Sequence, residues 1–149
     1  MDSPLTPDLP TPTAVLPHAA PLRLLDRLLD LDSHGLRASG RVDPRQPFWR
    51  DGRVGGWIGV EYMTQAIAAW LACQAKAEPP QVALRRIEHY QSLSAALPPG
   101  PLEVVIRHLG RDAEGRERFA CRLQGVLTPL AEAELAVAVE PPLEAIGSK

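Results

Sequence analysis

Hydrophobic and polar positions change rhythm several times along this chain. The run Leu22-Arg23-Leu24-Leu25-Asp26-Arg27-Leu28-Leu29-Asp30 fits helix or strand on periodicity alone. It is followed by Gly35 and by the alternating Leu36-Arg37-Ala38-Ser39-Gly40-Arg41-Val42, and together these predict a β-hairpin turning over residues 32–35. Residues 44–56, rich in Pro, Gly and charge, read as a loop. From 57 to about 77 there is no proline, and Ile58, Met63, Ala66, Ile67, Trp70, Leu71 and Gln74 recur at steps of three and four, which predicts a long helix stopped by Glu78-Pro79-Pro80. Beyond it, residues 82–97, 102–109, 118–127 and 131–139 have strand length and are divided by Pro98-Pro99-Gly100, by 112–115 and by Thr128-Pro129. Phe119, Cys121 and Leu123 alternate with Ala120, Arg122 and Gln124, as in a strand buried on one face.

The order is two strands, one apolar helix, then about four strands. A single apolar helix with no other helix to cover it must be buried by the sheet, which has to curl around it, so the expected class is α+β with about six antiparallel strands. The expected boundaries are a proline-rich, mobile tail over 1–13, one domain over 14–140 and a loose tail over 141–149. Apolar residues make up 45% of the chain, enough for a packed core. A net charge of −2 removes the electrostatic footprint of a nucleic-acid binder. Cys73 and Cys121 are far apart in sequence, which argues for two reduced thiols rather than a metal site or a disulfide framework. No leader pattern and no apolar run of membrane-spanning length is present in the sequence, so a cytoplasmic protein without membrane contact is expected. Nothing in the residues calls for a cofactor or a metal.

The chemistry gathers in Asp51-Gly52-Arg53-Val54-Gly55-Gly56-Trp57-Ile58-Gly59-Val60-Glu61-Tyr62-Met63-Thr64-Gln65. Glycines ahead of a helix let backbone approach a ligand, and the first-turn amides have no partner inside the helix, so Gly56 or Trp57 is a candidate donor to a thioester oxygen. Glu61 lies about a turn into the helix, and Gln65, four residues on, shares its face and is the candidate to orient it. The bland alternative for Glu61 is a solvated acid that complements the helix dipole. His18 stands in the leader to the first strand; His34, His89 and His108 are weaker candidates. Trp57, Tyr62, Met63 and Trp70 are large side chains of the predicted helix that either pack in the core or wall a ligand tunnel.

Leu16-Pro17-His18-Ala19-Ala20-Pro21-Leu22-Arg23-Leu24-Leu25-Asp26-Arg27 resembles the L-P-H-x-x-P-x-x-L-x-D-R opening of bacterial 3-hydroxyacyl-ACP dehydratases. Gly56 to Gln65 resembles the G-V-x-x-x-E-x-x-A-Q start of their central helix. The likeness spans about residues 14–140 and is greatest to the divergent dehydratases of aryl-polyene clusters, which share the form D-G-R-V-x-x-W-x-G-x-E-Y-M-x-Q. It implies a hot-dog fold, an acyl carrier protein as bearer of the substrate, and a homodimer or a heterodimer with another hot-dog subunit. It also implies catalytic roles for Glu61 and a histidine, with Gly56, Trp57, Gln65 and Tyr62 around the substrate.

One part of the pattern is missing. The family's H-F-P-x-x-P-x-x-P-G loop, whose histidine removes the α-proton, is several residues short here, and Asp51, Gly52, Arg53 and Val54 occupy what remains. Three readings follow: His18 serves as base, Asp51 or Arg53 takes a polar role, or the chain is a non-catalytic partner of an active subunit. The first is preferred because histidine titrates near neutral pH without large tuning. A hot-dog thioesterase, with a carboxylate on the same helix, is the enzymatic alternative.

Overall fold

Asp32 builds the first turn. Its Oδ1 accepts from the backbone N–H of His34 at 2.7 Å and of Gly35 at 2.9 Å, closing the chain on itself between two strands. These are β1 (Leu25–Leu31) and β2 (Gly35–Val42), the expected hairpin. A computed structural model describes residues 9–10, 24–42, 49–50, 53–55, 58–75, 81–93 and 96–140, with only the backbone for 49–50, 53–55 and 96. The expected tails lie outside these residues except for Leu9 and Pro10, and Leu9 is packed against the core.

The loop expected over 44–56 contains two short strands, β3 (Trp49–Arg50) and β4 (Arg53–Gly55), which pair with each other. Runs this short carry no period for sequence to reveal. The central helix, α1 (Gly59–Gln74), is shorter than the expected 57–77, for Ala75 is already extended while its N–H still donates to the Leu71 carbonyl at 3.0 Å. The segment 82–97 divides into β5 (Gln81–Ser92) and β6 (Ala96–Leu97), and β6 pairs with β4. Then follow β7 (Gly100–Arg111), β8 (Glu117–Gln124) and β9 (Pro129–Glu140). The strand expected to run to 127 stops at Gln124, since Gly125 N–H donates to the Thr128 carbonyl at 2.8 Å and turns Val126 and Leu127 outward.

Six strands form one antiparallel sheet in the order β1-β2-β7-β8-β9-β5. The helix lies against β1, β2, β7, β8 and β5, so the sheet wraps it, as a hot-dog fold requires. Along α1, Met63, Ala66, Ile67, Trp70 and Leu71 have no exposed surface. The sheet answers with Leu36, Val104, Ile106, Phe119, Leu123 and Leu135, and Phe119 meets the Trp70 ring edge-on at 5.6 Å. Gly40 permits the close crossing of β1 and the helix: a Cβ there would sit 2.7 Å from the Leu24 carbonyl oxygen and 3.3 Å from the Tyr62 ring. Among the described residues, no helix is long and apolar enough to cross a membrane.

Candidate active site

The start of α1 carries Glu61 as its first-turn acid, and no side chain caps this helix. Glu61 is half-buried and lines a cleft of about 400 Å³ with Ile58, Val60, Ile87 and Tyr90. One wall is the first turn of the helix and the other is β5. The acid therefore opens into a mostly apolar recess beside the helix terminus. An acyl chain fits that chemistry, with a carboxyl at its side.

β5 reaches the cleft through two irregularities in its pairing with β9. Leu84 pairs with Val137 and Arg86 with Ala136, which leaves Arg85 as an extra residue. Glu88 pairs with Glu134 and Gln91 with Glu132, so His89 and Tyr90 together face Ala133 alone. Each extra residue reverses the alternation of faces. Val82 and Leu84 pack on the core, Ile87 and Tyr90 line the cleft, and Arg86 and Glu88 line a separate groove on the other face with Asp112, Arg118 and Glu134.

The other residues singled out from sequence have different surroundings. Gln65 is fully buried, and its Oε1 accepts from the Leu24 backbone N–H at 2.8 Å. That amide oxygen therefore ties the start of β1 to the helix, a task sequence spacing had not suggested. Tyr62 is fully buried too, with its hydroxyl donating to the Arg41 carbonyl at 2.9 Å. It and the equally buried Met63 and Trp70 are core residues and do not line the cleft beside Glu61; the Trp70 Nε1–H donates to the Asp32 carbonyl at 2.9 Å. The remaining candidates, His18, Gly56, Trp57 and Asp51, together with the side chain of Arg53, lie outside the described residues.

The weaker histidine candidates separate by surroundings. His34 lies in the first turn, and His89 is exposed with a φ of 56°. His108 is half-buried far along the helix, where its Nε2 lies 2.7 Å from Glu117 Oε1, and its ring lies 5.0 Å from that of Trp70. Arg111 Nε donates to the other Glu117 oxygen at 2.6 Å. Burial alone would raise the Glu117 carboxyl, but the bonds from His108 and Arg111 outweigh it and hold it below the usual carboxylate range. Trp70 is nine residues past Glu61, roughly 13 Å along the axis at the rise of an α-helix, so this cluster belongs to the opposite end of the core.

Sequence reasoning passed over Tyr90 and Ile87. The adjacent charges Arg85-Arg86 break a strict alternation and were the one hint that β5 changes face. The bulges themselves are defined by pairing with β9, which lies some forty residues further along the chain.

Solved structures with this architecture include the dehydratase heterocomplex ApeI:P of Xenorhabdus doucetiae, with a TM-score of 0.77 and 24% identity over 87% of this chain and 91% of that one. A thioesterase of Haemophilus influenzae matches with a TM-score of 0.60 and 12% identity, covering 79% of this chain and 80% of its own. A conserved protein of Pseudomonas aeruginosa matches at 0.56 and 13%, covering 75% and 86% respectively. At these identities the likeness speaks for the hot-dog fold alone. No curated protein sequence matches the chain. The ApeP-like family of dehydratases, however, matches residues 10–147, almost the whole length, and the chain belongs to that family.

Proposed function

We propose that this chain acts in a 3-hydroxyacyl-ACP dehydratase, forming trans-2-enoyl-ACP in fatty-acid or aryl-polyene type biosynthesis, with Glu61 as its acid. The observation that carries the reading is the carboxyl of Glu61 in an apolar cleft at the start of the wrapped helix. The acyl chain enters beside α1, and its thioester oxygen is held by the backbone amide of Gly56 or Trp57, which precede the helix in sequence and whose side of it carries the positive end of the dipole that favours an enolate. His18 takes the α-proton and Glu61 protonates the departing hydroxyl. The Leu24 N–H bond to Gln65 holds the start of β1 to the helix one turn from Glu61.

A second reading, in which a partner subunit supplies the base, has its own support. The cleft abuts β5, an outer strand of the sheet, where Ile87 is 47% exposed and the following Leu93 44%. A long edge strand with exposed apolar residues calls for cover by another chain. A similar structure is that of a dehydratase heterocomplex, which favours assembly with a second hot-dog subunit.

The test is hydration of an enoyl-ACP by the wild type, Glu61→Gln and His18→Ala, each alone and co-expressed with a second hot-dog subunit. Glu61→Gln is expected to lose about 100-fold or more in rate, the usual weight of a general acid. A comparable loss in His18→Ala identifies the base, whereas activity that needs the partner and ignores His18 assigns the base to that partner. Wild-type rates in a folded Glu61→Gln protein refute the mechanism. Release of free thiol without enoyl product would mark a thioesterase instead.

A further inference from the structure

Tyr90 is brought to the cleft by strained backbone. His89 has a φ of 56°, a left-handed conformation uncommon for a residue with a side chain, and it sits in the bulge opposite Ala133. Continuing the alternation from Ile87 without the extra residue would turn His89 toward the helix and Tyr90 away. The bulge reverses this. It seats the phenol over the first residue of α1: a Cβ built on Gly59 would lie 2.8 Å from the Tyr90 oxygen, so the glycine lets the phenol come this close without a shift.

The cleft wall is then Ile58, Val60 and Ile87, with two polar groups, Glu61 and Tyr90. Burial raises the phenol pKa, with the Ser92 hydrogen bond pulling the other way, so Tyr90 stays a protonated donor at neutral pH. A 3-hydroxyacyl chain offers such a recess one oxygen on an otherwise apolar stem. We infer that Tyr90 is a catalytic residue of this cleft, its phenol donating a hydrogen bond to the 3-hydroxyl that Glu61 protonates. The inference rests on the dehydratase reading above. In the step the base takes the C2 proton, the C2=C3 double bond forms, and the C3–O bond breaks with its electron pair on oxygen. The Glu61 proton completes the water, and Tyr90 keeps its own proton, steadying the oxygen as it gains charge.

Tyr90→Phe keeps the ring and removes the donor. The full chain in its active assembly is assayed for dehydration. Binding is measured by calorimetry for two probes, a 3-hydroxyacyl pantetheine amide and its saturated counterpart without the hydroxyl. The wild type is expected to favour the hydroxylated probe by about tenfold, the worth of one net hydrogen bond. Tyr90→Phe should lose most of that preference, leave the saturated probe unaffected, melt like the wild type and lower kcat/KM by about tenfold or more. An unchanged preference, an equal loss for both probes, or no preference in the wild type overturns the inference. If the wild type does not dehydrate but the preference exists and Tyr90→Phe erases it, the dehydratase reading falls and hydroxyl recognition by Tyr90 stands.

Discussion

Glu117→Gln tests whether the buried cluster at the far end of the helix stabilises the fold. The Glu117 side chain is 3% exposed and receives two short bonds, 2.7 Å from His108 and 2.6 Å from Arg111. Charge-assisted bonds of this kind are worth about 1.5–3 kcal/mol each. The gross loss is offset in two ways. Glutamine keeps an acceptor and carries no charge to desolvate, and the Arg111 side chain, 38% exposed, returns readily to water. A net cost of about 2 kcal/mol remains, a fall in Tm of about 4–8 °C for a domain of this size. The carboxyl is held below its ordinary value of 4.5, so its stabilisation is complete above that pH and is lost as pH falls through the lower, folded value. Urea unfolding of both proteins at pH 7 and at a series of values below 4.5 reads this directly, since protonated glutamate and glutamine are nearly equivalent. Equal stability at pH 7, or a gap that does not narrow in acid, would show that the cluster does not stabilise the fold as argued.

Gln65→Leu strands the buried Leu24 N–H and is expected to cost about 1–3 kcal/mol in urea unfolding, and to lower activity if the segment bearing His18 depends on that tie; an unchanged midpoint would show that the bond contributes nothing. Burial pushes the Cys121 thiol far above its ordinary range, so a thiol reagent at pH 8 should modify it only after denaturation, which mass spectrometry of native and unfolded protein can check, and rapid labelling of the native chain would contradict its placement in the core.

The turn at Asp32, the extent of α1 to within a few residues and the divisions between the later strands were legible because each rests on local chemistry: an Asx turn, a 3.6-residue period, a proline or a glycine. The same holds for Glu61, whose position in the helix start follows from counting residues. What faces that helix is another matter. A helical position fixes a direction around the axis and leaves the opposing element undefined, so the bonds that Gln65 and Tyr62 make to Leu24 and Arg41 could not be read from their spacing. Strand parity is equally non-local, because one extra residue in β5, defined only by its register with β9, exchanges His89 for Tyr90 beside Glu61. Sequence alone thus determined the hairpin, the central helix, most divisions between the later strands and the place of Glu61 in the helix start. Tertiary structure decided the acid's companions, since long-range pairing chooses which side of each strand meets the helix.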